Sequence, residues 1–146
     1  MPRLAQSAAA NALLLNLRDE LACAAAPSSK SHARGVVAAA MSRDGHVGVD
    51  VEYCAPGRDI CAIATWLAGM DISDDESAYR LFTFREAYFK AFGKNPDRAL
   101  LRDVACAPDP MMRPAHNLGV LFAPLENCFL LSLVWSGAGE PERLEL

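Results

Sequence analysis

Three short segments of the chain carry residue types that do chemistry at useful spacings. In the first, His46-Val47-Gly48-Val49-Asp50-Val51-Glu52 alternates between apolar and polar or small residues. Side chains at i and i+2 share one face of a strand, so Gly48, Asp50 and Glu52 point one way and Val47, Val49 and Val51 point into a core. Two carboxylates about 7 Å apart along a strand, beside a glycine, suit a hard cation. Magnesium takes a few carboxylate oxygens and leaves its other positions to water or phosphate. The same alternation also describes a hairpin whose acidic residues only solvate its outer face.

The second segment is Phe82-Thr83-Phe84-Arg85-Glu86-Ala87-Tyr88-Phe89-Lys90-Ala91-Phe92-Gly93. Glu86 and Lys90 are four apart with the acid first, which places them on one helical stripe with Phe82 and Thr83. Leu81, Phe84, Tyr88 and Phe92 form the packing stripe on the other side. Taken alone, the charges read as an exposed ion pair worth about 0.3–0.5 kcal/mol. The third segment is Lys30-Ser31-His32 with Arg34 close behind. A hydroxyl, an imidazole and two cations form a phosphate-binding set, or simply a polar loop.

The elements that must position these residues can be read around them. An Ala- and Leu-rich helix runs from Leu4 to about Ala25, with Leu14, Leu17 and Leu21 on the face that docks. Gly35 to Met41 and His46 to Glu52 form a hairpin across Asp44-Gly45. Asp59 caps a helix that carries Ile60, Ile63, Ala64 and Leu67 and stops at Gly69. Ser73 and Glu76 form a capping box for the helix that ends at Gly93. Leu100 to Ala105 reads as a strand, and Leu118–Phe122 and Phe129–Trp135 as a second hairpin. The expected class is α+β, with a mostly antiparallel sheet packed against helices.

Composition narrows the function. A chain of 146 residues, 52% hydrophobic and 22% charged, suits one globular domain, with residues 1–26 as its N-terminal helix and 30–135 as its core. A net charge of −4 argues against a general nucleic-acid binder, and no apolar run is long enough to span a membrane. Asn11, Asn16, Arg18, Asp19 and Glu20 interrupt any signal-peptide core. The five cysteines (Cys23, Cys54, Cys61, Cys106, Cys128) form no CxxC pair and read as small buried apolar residues in a reducing, cytoplasmic compartment.

Taken in order, Ser31-His32, the Gly48–Glu52 strand and the Phe82–Gly93 helix resemble the signature of the 4′-phosphopantetheinyl transferases. The family patterns are a Gly-(Ile/Val)-Asp-(Ile/Val)-Glu strand and a Trp-(Ser/Thr)-x-Lys-Glu-(Ala/Ser)-x-x-Lys-x-x-Gly helix. The likeness covers roughly Lys30 to Asp103. The single-residue gap in Asp50-Val51-Glu52, together with Ser31-His32, is similar to the longer, two-lobed subgroup.

The resemblance implies a fold, an activity and a set of roles. A transferase of this kind moves the phosphopantetheine arm of coenzyme A to a serine of an acyl or peptidyl carrier protein and releases 3′,5′-ADP. By similarity, Asp50, Glu52 and Glu86 hold Mg²⁺, with Mn²⁺ as the alternative ion. Lys90, aimed by Glu86, contacts the coenzyme A phosphates. His32 and Ser31 meet the 3′-phosphate, with Lys30 and Arg34 beside them, and Glu52 or Glu86 takes the serine proton.

Three residues or features depart from the pattern. Phe82 stands in place of Trp, Arg85 stands in place of Lys, and only 47 residues precede Gly48 where the two-lobed enzymes carry a further lobe. The resemblance therefore implies either pairing with a second copy of the chain or a weakened coenzyme A grip. Arg85, Lys94, Arg98 and Arg102 are the candidate docking patch for an acidic carrier protein. The alternative function is a truncated, non-catalytic module that binds coenzyme A or a carrier protein.

Overall fold

A computed structural model describes residues 2–22, 25–107 and 109–141. Helix α1 (Arg3–Leu21) ends short of the expected Ala25, because Ala22 turns left-handed at φ 47° and its N–H returns to the carbonyls of Arg18 and Asp19. The helix lies on the hairpin that follows, burying Ala10 fully and leaving Leu14, Leu17 and Leu21 half-buried.

That hairpin is not the expected one. Strand β1 (Ser28–Ala33) pairs antiparallel with β2 (Val36–Met41), across Arg34-Gly35. Both turn residues have positive φ, 44° and 95°, which matches the twist of a tight two-residue connection. Asp44-Gly45 instead lies in the passage from one sheet to another. There the Ser136 hydroxyl accepts from the His46 N–H at 2.8 Å, and the Ser136 N–H donates to the His46 carbonyl at 3.0 Å. This clamp starts β3 (Val47–Tyr53) against β6 (Phe129–Ser136).

The main sheet has the order β3-β6-β5-β4, with every neighbour antiparallel. Strand β5 (Leu118–Leu125) and β6 form the expected second hairpin, but they run further and leave only Glu126–Cys128 as the turn. Strand β4 (Met111–Ala115) was not anticipated. The expected strand at Leu100–Ala105 is instead helix α4 (Arg98–Cys106), capped by Asp97, with Leu101 and Val104 buried three apart.

Helix α2 (Ile60–Ala68) follows its expected limits, capped by Asp59 and ended by left-handed Gly69. Its Ile63 is exposed, and Ala68 is the buried residue that closes the inner face. Helix α3 (Asp75–Phe92) begins one residue later than the Ser73 box predicts. Asp74 is the cap, and its carboxylate accepts from the Ser77 N–H at 2.7 Å. Gly93 ends the helix at φ 69° as expected.

The fold is α+β, with antiparallel sheets packed against helices. One face of the main sheet supplies Val120, Phe122, Leu130 and Val134 to a core shared with Leu81 and Phe84 of α3. The other face places Val49, Val51, Ala123 and Leu131 under Ala38 of β2. Both sides of β3 are therefore covered, and Asp50 does not sit on a solvated outer face. Thr83, placed by spacing on an exposed stripe, is fully buried, with its hydroxyl 2.6 Å from that of Ser132. Among the described residues no helix is long and apolar enough to cross a membrane.

Candidate functional site

The site starts from an edge. Strand β3 pairs with β6 on one side only, which leaves alternate N–H groups without a ladder partner. Two serines of β1 supply the acceptors. Ser29 Oγ accepts from the Val49 N–H at 3.0 Å, and Ser31 Oγ accepts from the Val51 N–H at 3.2 Å. The Ser31 hydroxyl then donates to Asp50 Oδ1 at 3.0 Å, so one small side chain both seals the edge and orients the carboxylate.

Helix α3 reaches the same carboxylate from the other side. Lys90 Nζ donates to Asp50 Oδ1 at 2.8 Å and to the Val49 carbonyl at 3.1 Å. This approach depends on Gly48, where a Cβ would fall 1.9 Å from the Ala87 carbonyl oxygen and 2.8 Å from the Ala91 nitrogen. Strand and helix therefore touch backbone to backbone. Asp50 is only 5% exposed, and its second oxygen, Oδ2, is buried without a hydrogen-bond partner.

Electrostatics follow from that burial. Burial raises the Asp50 carboxyl above its ordinary range, Lys90 and Ser31 pull it back, and the charge of Glu86 adds to the rise. Glu52 is also raised, first by burial and then by the charge of Asp50, with Arg58 opposing. Arg58 Nη1 lies 3.4 Å from Glu52 Oε2, and its guanidinium stands 5.1 Å from the Phe82 ring centroid. Phe82 thus supports the cation that steadies Glu52.

A cleft of about 320 Å³ opens over these groups. Lys30, Ser31 and His32 of β1, Asp50 and Glu52 of β3, and Lys90 of α3 line it, with Ser7 of α1 at its margin. Lys30 also donates to the side-chain carbonyl of Asn11, tying the cleft wall to α1. Two candidates lie elsewhere. Arg34 stacks over the Tyr53 ring at 4.1 Å and does not line the cleft. Glu86 does not line it either and is held by its neighbour Arg85, so it does not aim Lys90 as the spacing implied; Asp50 does.

Among the described residues no three His, Cys, Asp or Glu side chains form a metal-holding group. Asp50 and Glu52 nevertheless suit a hard divalent ion. Both are carboxylates, and Asp50 presents an oxygen with no other bond to make. Glu86 is paired with Arg85 through Oε1, and its charge acts on both.

Sequence reasoning missed Ser7, Ser29 and Arg58. Ser29 and Ser31 sit at i and i+2 in one strand, a period-2 signal that the reading of a polar loop concealed. Arg58 follows a Pro-Gly turn after Glu52 and carries no spacing signal of its own. In the candidate docking patch, Arg85 is engaged by Glu86, and Arg102 donates to the carbonyls of Ala68 and Gly69 at 2.8 and 3.0 Å, clamping α4 to the end of α2. Lys94 and Arg98 are exposed.

The cysteines also differ from expectation. Cys106 and Cys128 are exposed, Cys54 and Cys61 are half-buried, and Cys23 lies outside the described residues. The chain matches no protein-family model, and a comparison with curated proteins gives no match either. A functional reading therefore rests on the motif residues and on the cleft they line.

Proposed function

We propose that this protein is a cytoplasmic 4′-phosphopantetheinyl transferase acting on an acyl or peptidyl carrier protein. The observation that carries the reading is convergence. Ser31-His32, Asp50/Glu52 and Lys90 lie on three separate elements, belong to the three segments that resemble the transferase signature, and line one cleft. A Mg²⁺ or Mn²⁺ held by Asp50 and Glu52, with Glu86 as third ligand, would neutralise pyrophosphate oxygens of coenzyme A as a Lewis acid.

The chain's own residues supply the rest. Lys90, Lys30 and His32 bind and orient phosphate oxygens, with Lys90 acting as a point charge on a stem already fixed by Asp50. The carrier serine hydroxyl attacks the phosphorus that bears pantetheine, and the bond from that phosphorus to 3′,5′-ADP breaks. A carboxylate of the site, Glu52 or Glu86, takes the hydroxyl proton.

A second reading has its own observation. Glu86 is paired with Arg85 and does not line the cleft, which favours a module that binds coenzyme A or a carrier protein without turnover. Incubation with coenzyme A, Mg²⁺ and a panel of apo carrier proteins separates the two. The transferase reading expects the phosphopantetheine mass gain on a carrier. Binding of coenzyme A with no gain on any carrier favours the module, and neither binding nor gain removes both.

A further inference from the structure

A second cavity, of about 540 Å³, lies beyond the end of β3, away from the cleft, and two cysteines line it. Cys54 follows the last residue of β3, and Cys128 precedes the first residue of β6. The last ladder pair is Tyr53 with Phe129, and one backbone hydrogen bond follows it, the Cys54 N–H donating to the Cys128 carbonyl at 2.7 Å. The two cysteines are therefore in backbone contact where β3 and β6 meet. Residues joined by such a bond have Cα atoms about 5–6 Å apart, and a disulfide accepts roughly 4.4–6.8 Å.

Their side chains also share a side. Cys54 continues the face of Gly48, Asp50 and Glu52, which looks toward α3. Both cysteines border the cavity walled by Tyr79, Phe122 and Phe129, and neither is in a disulfide. Cys128 is held at φ 63°, a left-handed conformation that a non-glycine residue adopts at a cost of about 1–2 kcal/mol. Glycine would fit that position without strain, and the chain places an exposed thiol there.

We propose that Cys54 and Cys128 are a redox-active dithiol that closes reversibly into an intramolecular disulfide, with a low-molecular-weight disulfide such as oxidised glutathione as oxidant. Exposed Cys128 reacts first. Its sulfur attacks one glutathione sulfur, the glutathione S–S bond breaks, and one reduced glutathione leaves with the Cys128 proton. The Cys54 sulfur then attacks Cys128 Sγ and releases the second glutathione, which carries the Cys54 proton. Two protein thiols lose two electrons in total and one glutathione disulfide gains them. The bond ties the β5–β6 turn to β3 two residues from Glu52 and bridges a wall of the apolar cavity. The inference does not depend on the transferase reading.

The test uses the intact, folded protein in glutathione buffers of stepped redox ratio, with acid quench, alkylation and peptide mass mapping. The expected product is a cross-linked pair of peptides containing Cys54 and Cys128, two hydrogens lighter than the reduced pair. It forms at a ratio where Cys61 and Cys106 are still fully alkylated, and free thiols fall from five to three. In Cys54→Ser, Cys128 accumulates instead as a glutathione adduct. Separate glutathione adducts on both residues of the unsubstituted protein, or earlier pairing of either one with a different cysteine, overturns the proposal.

Discussion

Lys90 Nζ stands 2.8 Å from Asp50 Oδ1 and 3.1 Å from the Val49 carbonyl, so α3 is pinned to β3 by one ammonium group with two partners. The sequence spacing suggested that Glu86 would steady this lysine from within the helix. The pair instead runs between elements, and it is shielded where an i,i+4 pair would be exposed: Asp50's side chain is 8% exposed and that of Lys90 31%. Such a pair orients both members, and removing one strands the other away from water.

Lys90→Met keeps most of the stem's volume and removes the charge. Under the transferase reading, kcat/KM for coenzyme A falls by about 10–100-fold, the size typical of losing a group that orients a metal-ligating carboxylate. Most of the loss appears as a raised KM, so saturating coenzyme A restores much of the rate. An unchanged KM in steady-state assays of carrier modification would remove Lys90 from the phosphate site.

Asp50 makes stability depend on pH in a direction opposite to most carboxylates. Burial raises it above its ordinary 3.8, against the pull of Lys90 and with help from Glu86, so the folded state binds its proton more tightly than the unfolded state. Stability from this group is fully present below the ordinary value and is lost as pH rises through the raised one. Glu52 is raised too and acts in the same sense above its ordinary 4.5. Urea titrations from pH 4 to pH 7 should therefore show the gap between Asp50→Asn and the unsubstituted protein moving in favour of the variant as pH rises. A gap that is constant, or that moves the other way, contradicts the burial argument.

The two edge serines separate structure from chemistry. Ser29→Ala leaves the Val49 N–H without its acceptor, and Ser31→Ala does the same to Val51, so each should cost about 1–3 kcal/mol in denaturant titrations. Only Ser31 also donates to Asp50. Carrier modification, measured on folded protein at equal concentration, should fall with Ser31→Ala and hold with Ser29→Ala. Equal loss in both would reduce Ser31 to an edge seal.

What the sequence made legible was local, and what it hid was pairing. Alternation found β3, the two segments flanking residues 123–127 found β5 and β6, and the caps found α2 and the end of α3, because each signal lies within a few residues. The partner of β3 lies more than 70 residues downstream, at Phe129–Ser136, and the serine hydroxyls that cover its other edge lie upstream in a segment with no apolar alternation. Leu100–Ala105 looked like a strand because its apolar residues are adjacent. The period that decides it, Leu101 to Val104 after the Asp97 cap, is visible only when the cap is read first. The motif residues led to the cleft, but Arg58 was hidden, because its role depends on a turn that folds it back over Phe82 and Glu52.

Gly48→Ala tests the contact on which this arrangement depends. The added methyl would sit 1.9 Å from the Ala87 carbonyl oxygen and 2.8 Å from the Ala91 nitrogen. Both are backbone atoms of a helix, with no flexible side chain to turn aside, so β3 and α3 must separate. Restricting the unfolded chain by Gly→Ala returns about 0.4–1 kcal/mol, less than the clash removes, since overpacking of this kind costs about 1–3 kcal/mol and occasionally more. The variant should unfold at a clearly lower urea concentration. In any folded fraction Lys90 should no longer reach Asp50, so carrier modification should fall further than the loss of folded protein accounts for. A midpoint and a specific activity equal to those of the unsubstituted chain would mean that the strand and the helix do not meet at Gly48.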